Sequence, residues 1–299
     1  MSTQTTNEVD TTVSEEKREE GLDYVSKSRI KTYKTCPKKF YLKYWCQNSP
    51  PSTEPLRKGS HLHETFEVWH ERVAEYISMF GQFPDEFWEF IPDWFSLKYL
   101  DPFMGNFWSF EQDRLSRANS LDEYVPVSVE EEAWLQNPPS GDIPWMGSAD
   151  LIVNSSTLPG FDGDGVVILD YKTGSVPDEE YRDEGIYLEQ EFYAVLFEEK
   201  YDVDGIAAYY PKEDVLLEAD LFEERREEVK RTALALQEPP TDDNFPKNEQ
   251  PLCHYGHGSC YFHNNGCSSR WGFSDGPGPS YDELENESEY DPENGSRYS

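Results

Sequence analysis

The chain has 299 residues, 26 Lys+Arg against 60 Asp+Glu, a net charge of −34 and 15% aromatic residues. That length allows a sizeable core, and the aromatic content excludes disorder as the state of the whole chain. Carboxylates spread along the full length resemble the surface of a protein from a salt-loaded cytoplasm, where repulsion is screened over about 3 Å at 1 M salt.

Residues 1–22 are polar and acidic, with none of the apolar core of a secretory signal, and are expected to be a disordered flank. Residues 272–299, rich in Gly, Pro, Ser and acids, read likewise, which leaves 23–271 as one domain. No stretch approaches the ~20 apolar residues of a membrane span, so a cytoplasmic protein with no membrane partner is expected. From Ser26 a helix is predicted, broken near Cys36-Pro37 and resuming through KKFYLKYW, since proline suits a first helical turn and disfavours an interior one. Leu62, Phe66, Trp69, Val73 and Ile77 recur at helical spacing within SHLHETFEVWHERVAEYISMF. The stretch from Phe83 to about Arg117 is expected to be helical, with breaks at Pro84, Pro92 and Pro102. Strand periodicity then takes over in VPVSVEEEAWL, IPWMGSADLIV and VVILDYKTG, separated by turn signals. A helix follows over DEEYRDEGIYLEQEFYAVLFEEKY, then a hairpin from GIAAYYP and DVLLEADL, then a last helix at about 222–237. The order describes an α/β core with helical additions.

Three features bear on chemistry. KSRIKTYKTCPKKFYLK (27–43) holds seven basic residues and no acid, and Tyr33, Phe40, Tyr41 and the adjoining Tyr44 are available for stacking on bases, so it is a candidate polyanion surface. Cysteines stand at 36, 46, 253, 260 and 267; in a cytoplasmic chain clustered cysteines indicate metal rather than disulfides. The C-x6-C-x6-C trio lacks a fourth ligand, for which Cys36 is the natural candidate, while Cys46 reads as a buried thiol. His254, His257 and His263 in the same loop keep zinc open beside an iron-sulfur cluster. Finally, DYKTG (170–174) ends an apolar strand with Asp170 and Lys172 on one face and Tyr171 on the other.

The ordered set S-x-S-R-I-x-x-Y-x-x-C-P-x-x-F-Y-L from Ser26, KGSHLHETFE (58–67), GSAD (147–150), DYKTG, a Gln/Glu-to-Tyr pair before AVLF and the late cysteine trio resembles the RecB-type nucleases of the PD-(D/E)xK superfamily. It is most similar to the CRISPR-associated and AddB-like exonucleases that carry an iron-sulfur cluster. The resemblance spans about 26–267. It implies a restriction-endonuclease-like α/β core with a mixed central sheet, helical N-terminal and insert segments, and a C-terminal cysteine-rich metal lobe. It implies His63, Asp150, Asp170 and the Tyr171 carbonyl as ligands of Mn²⁺ or Mg²⁺, with the histidine favouring Mn²⁺. Lys172, Asp170, Asp150, Glu67, Tyr193 and Gln190 become the catalytic set, and Cys36, Cys253, Cys260 and Cys267 the ligands of a [4Fe-4S] cluster, with zinc as the alternative. Two departures stand out: Glu189, not Gln190, lies four residues before Tyr193, and the first spacing of the trio is wider than in relatives. The implied activity is metal-dependent cleavage of DNA, as an exonuclease on single strands or ends, in recombination, repair or CRISPR adaptation, with helicase or adaptation proteins as partners. A DNA-binding adaptor with an idle nuclease site in a larger assembly remains the alternative.

Overall fold

The computed structural model describes residues 9–51, 54–91, 97–241, 243–249, 253, 260–263 and 265–267. Residues 272–299, His254 and His257 lie outside these. Two compact units are present: Met1–Leu22 with Thr32–Thr53 and Glu238–Ser299, and Asp23–Lys31 with Glu54–Gln237.

In the second unit β1 (Ser128–Leu135), β2 (Trp145–Asn154), β3 (Val166–Tyr171), β4 (Val203–Tyr210) and β5 (Val215–Asp220) form one sheet in chain order. All neighbours are antiparallel except β3 and β4. A parallel pair needs a crossover; here it contains α7 (Leu188–Phe197), whose Phe192 ring stacks on Trp145 of β2 at 5.3 Å. Every residue of β3 is buried, which explains why VVILDY is an apolar run rather than an alternating one.

The even spacing of strand side chains sorts the two faces. Leu151, Val153, Val167, Leu169, Tyr171, Ala207 and Tyr209 share the main core with Leu62, Phe66, Trp69, Val73 and Ile77 of α4 (Glu54–Phe80), and with Leu100, Met104 and Phe107 of α5 (Leu97–Arg117). The helical spacing read in α4 is therefore its buried stripe. Pro102 was expected to break a helix and instead lies inside α5: burial of Leu100, Met104 and Phe107 outweighs the one backbone hydrogen bond that proline removes. The short α6 (Leu121–Tyr124) and the longer α8 (Glu223–Ala235) complete this unit.

The first unit revises the expected N-terminal flank. Ser14 caps α1 (Glu15–Glu20) by accepting from the Lys17 N–H, and Val9, Val13 and Leu22 are buried. In this unit α3 (Pro37–Phe40) begins at the proline predicted to start a new helix, after α2 (Lys27–Thr35). Among the described residues no helix is long and apolar enough to cross a membrane.

Candidate active site

Strand register builds the site. Val129 pairs with Leu151 and Glu131 with Ala149, so Glu130 stands opposite Asp150. Leu151 pairs with Leu169, so Asp150 in turn stands opposite Asp170. Residues opposite one another in antiparallel strands share a face; three carboxylates thus form a row across β1, β2 and β3. Glu130 takes part with φ of 46°, left-handed backbone that is costly for a residue with a Cβ and that clusters at functional sites.

A histidine from α4 meets this row. His63 Nδ1 lies 3.2 Å from Asp150 Oδ2, an oxygen that also accepts from the Tyr171 N–H at 2.7 Å. The ligand atoms of His63, Glu130 and Asp150 all lie within 4.8 Å of one another, the one such group among the described residues. Ser148 donates to Glu130 Oε2 at 3.2 Å. Burial, then the Asp150 carboxylate, push Glu130 up to about 7. Burial opposes the charge of His63, but the hydrogen bond and charge of Asp150 more than offset it and raise the imidazole above its ordinary value.

Asp170 is 2% exposed and sits between two ammonium groups, Lys27 Nζ at 2.6 Å from Oδ1 and Lys172 Nζ at 2.6 Å from Oδ2. Burial works against its ionisation, yet Lys172 and Lys27 hold it well below the usual carboxylate range. Lys172 also lies 3.4 Å from Glu189 Oε2, whose other oxygen is 2.7 Å from Lys31. The residue that reaches Lys172 from α7 is therefore Glu189, four before Tyr193. Gln190 does not: it is fully buried, and among the described residues its amide has no hydrogen-bond partner. Tyr193 packs its ring 4.6 Å below Lys27 Nζ, and burial is the main reason its hydroxyl is pushed up to about 12. A Cβ at Gly147 would come within 2.8 Å of that ring, which accounts for the glycine of GSAD. Glu67 is half-buried one turn beyond His63; its charge reaches Glu130, but it is not one of the clustered ligands.

Tyr171 points to the opposite face, where its hydroxyl meets His70 Nε2 at 2.8 Å. There Glu111 Oε2 accepts from Tyr124 and from Arg114, both at 2.8 Å. Burial, then Arg114, hold His70 well below its ordinary value, so this network under the DYKTG turn has a neutral imidazole. It anchors the strand end from behind.

The residues fit a divalent cation. One imidazole and two carboxylates converge, and the buried Asp170 Oδ2 has a short ion pair but no partner in hydrogen-bond geometry. The PD-(D/E)XK nuclease superfamily model matches residues 24–264. The chain belongs to this superfamily. A solved structure of a candidate exonuclease from Eubacterium rectale is similar at 13% identity and a TM-score of 0.44, over 85% of this chain and 92% of that one. No curated protein matches the sequence.

PD-(D/E)XK nucleases hydrolyse phosphodiesters with divalent metal. In this member His63 meets Asp150, Lys172 meets Asp170, and Glu130, which no motif announces, stands in the same row. The basic segment is more divided than its sequence implied. Lys27 and Lys31 face carboxylates of the site, and Arg29 is 7% exposed, paired with Asp23 at 2.9 Å. Phe40 and Tyr41 are buried among Tyr33, Tyr44 and Phe245, so their rings build the first unit's core and are not free to stack on bases. None of the five cysteines is in a disulfide among the described residues. Cys36 and Cys46 are buried, and burial raises Cys260 and pushes Cys267 up to about 11, with Cys36 contributing to both shifts.

Glu130 gives a pH signature. Its folded value near 7 exceeds the ordinary 4.5, so the fold prefers the protonated acid; the associated stability is full below pH 4.5 and is lost as pH rises through 7. In melts of metal-free protein, the Tm of Glu130→Gln minus that of wild type should grow from pH 4.5 to 7 and then level off. A pH-independent gap would remove the assignment.

Proposed function

We propose that the protein is a metal-dependent deoxyribonuclease acting as an exonuclease on single strands or DNA ends. The observation that carries the reading is the carboxylate row Glu130, Asp150, Asp170, with His63 on one side and Lys172 on the other. His63, Glu130, Asp150 and Asp170 would hold the ion, with the Tyr171 carbonyl as a further ligand. An imidazole among oxygen donors favours Mn²⁺ over Mg²⁺. When bound, the ion withdraws electron density from the phosphate and offsets the charge that builds up as water attacks. Lys172 supplies a positive charge to the same phosphate and orients the attacking water. Asp170 and Glu189 fix where that ammonium stands. Tyr193 closes the floor of the site.

A second metal centre, a [4Fe-4S] cluster on Cys36, Cys253, Cys260 and Cys267 with zinc as the alternative, is proposed for the first unit. In its support, Cys36 and Cys253 both act on the Cys260 thiol, and Cys36 and Cys260 on the Cys267 thiol. The Asn248 N–H lies 3.4 Å from Cys36 Sγ, and Cys253 Sγ lies 3.8 Å from the Asn248 carbonyl. The pathway proposed from the family resemblance is recombination, repair or CRISPR adaptation, with helicase or adaptation proteins as partners.

The test is digestion of end-labelled single- and double-stranded DNA by anaerobically purified protein with Mn²⁺, Mg²⁺ or EDTA. Progressive shortening that needs Mn²⁺ or Mg²⁺ is expected. Intact DNA with both ions would overturn the enzyme reading and favour a DNA-binding adaptor.

A further inference from the structure

Lys27 entered the sequence reading only as part of a basic stretch, yet its Nζ lies 2.6 Å from Asp170 Oδ1 in hydrogen-bond geometry. Its side chain is 19% exposed, against 59% for Lys31. The groups alternate in sign: Lys27, Asp170, Lys172, Glu189, Lys31. Three cations and two anions leave this string with one net positive charge, which Lys27 brings against Asp170 beside the Asp150 and Glu130 carboxylates. Lys172 has a second carboxylate, Glu189. Beyond Asp170, Lys27 meets the uncharged ring of Tyr193 and feels the Asp150 carboxylate.

We propose that Lys27 is a second active-site lysine, which opposes divalent-ion binding at Asp170 until a substrate phosphate arrives to offset its charge. This rests on the nuclease-site reading above. Lys27 holds Oδ1 and Lys172 holds Oδ2, so an arriving ion shares a carboxylate that already carries two ammonium groups. Its ammonium repels that ion across a buried carboxylate, where solvent screens little. A phosphodiester brings one negative charge, gives Lys27 a second anionic partner and offsets the repulsion. By linkage the metal and the phosphate each strengthen the other's binding, so the empty enzyme holds its ion weakly.

The effect is read first without nucleic acid, as Mn²⁺ titration of metal-stripped protein followed by the paramagnetic resonance of free Mn²⁺. Lys27→Met should bind Mn²⁺ about tenfold more tightly than wild type, the direction set by removing a nearby positive charge. Lys27→Arg retains the cation and should match wild type. At saturating Mn²⁺, Lys27→Met should show a raised KM for single-stranded DNA, because the phosphate has lost its partner. Tighter metal together with weaker substrate is an outcome that damage to the fold does not produce. Lys172 still compensates Asp170 in the variant, so folding should be retained, with circular dichroism as the check. If Lys27→Met binds Mn²⁺ no more tightly than wild type, Lys27 is a structural ion pair and the proposal is wrong. If wild type itself binds no Mn²⁺, the metal-site reading fails, and this proposal with it.

Discussion

Replacing Lys172 by alanine should lower the rate of DNA cleavage about a thousandfold or more, equivalent to about 4 kcal/mol of lost transition-state stabilisation, while the protein remains folded. The ammonium stands 2.6 Å from Asp170 and 3.4 Å from Glu189, so it is held on two sides at the end of the carboxylate row. Asp170 keeps Lys27 after the substitution, and Glu189 keeps Lys31; neither acid is left buried without a cation. Asp170→Asn should be as inactive, and it is a better probe than alanine, which would leave two ammonium groups around an empty space. Cleavage within tenfold of wild type by folded Lys172→Ala would refute the assignment.

A comparable effect is expected on the proposed second metal centre. Serine at Cys36, Cys253, Cys260 or Cys267 should in each case strip the metal and lower the melting temperature, because ligation contributes folding energy directly and no preformed site exists in the unfolded chain. Cys46→Ser should retain full metal. Elemental analysis decides between iron and zinc, and absorbance near 400 nm would accompany iron. If Cys36→Ser keeps its metal and Cys46→Ser loses it, the ligand set is wrong, whatever becomes of the nuclease site.

The motifs made half of the site legible because each stands in an element whose pattern is plain. DYKTG follows an uninterrupted apolar run, GSAD lies inside a turn-flanked strand, and His63 sits on a helix with a clear apolar stripe. Glu130 could not be found that way. It is the first of three successive glutamates in VEEEAW, and only the pairing across a loop between β1 and β2 distinguishes it from Glu131 and Glu132. Alternation gives the relative face of neighbours, but the register between strands depends on turn geometry. Lys27 was hidden differently: composition grouped it with six other bases, whereas the start of α2 delivers it to a carboxylate 143 residues away. Buried aromatic rings misled in the opposite sense. Tyr33 and Phe40 have the chemistry of base stacking, and only the fold reveals that Phe40 is consumed by a cluster around Phe245.

The backbone of Glu130 sets stability against the proposed metal site at a single codon. Left-handed φ costs a residue with a Cβ roughly 1–2 kcal/mol and glycine almost nothing, so a chain selected only for robustness would drift toward glycine at 130. Such a protein would be better folded and would have lost a carboxylate from the row. A redesign guided by backbone geometry alone would make the same exchange, and a melting curve would count it as an improvement.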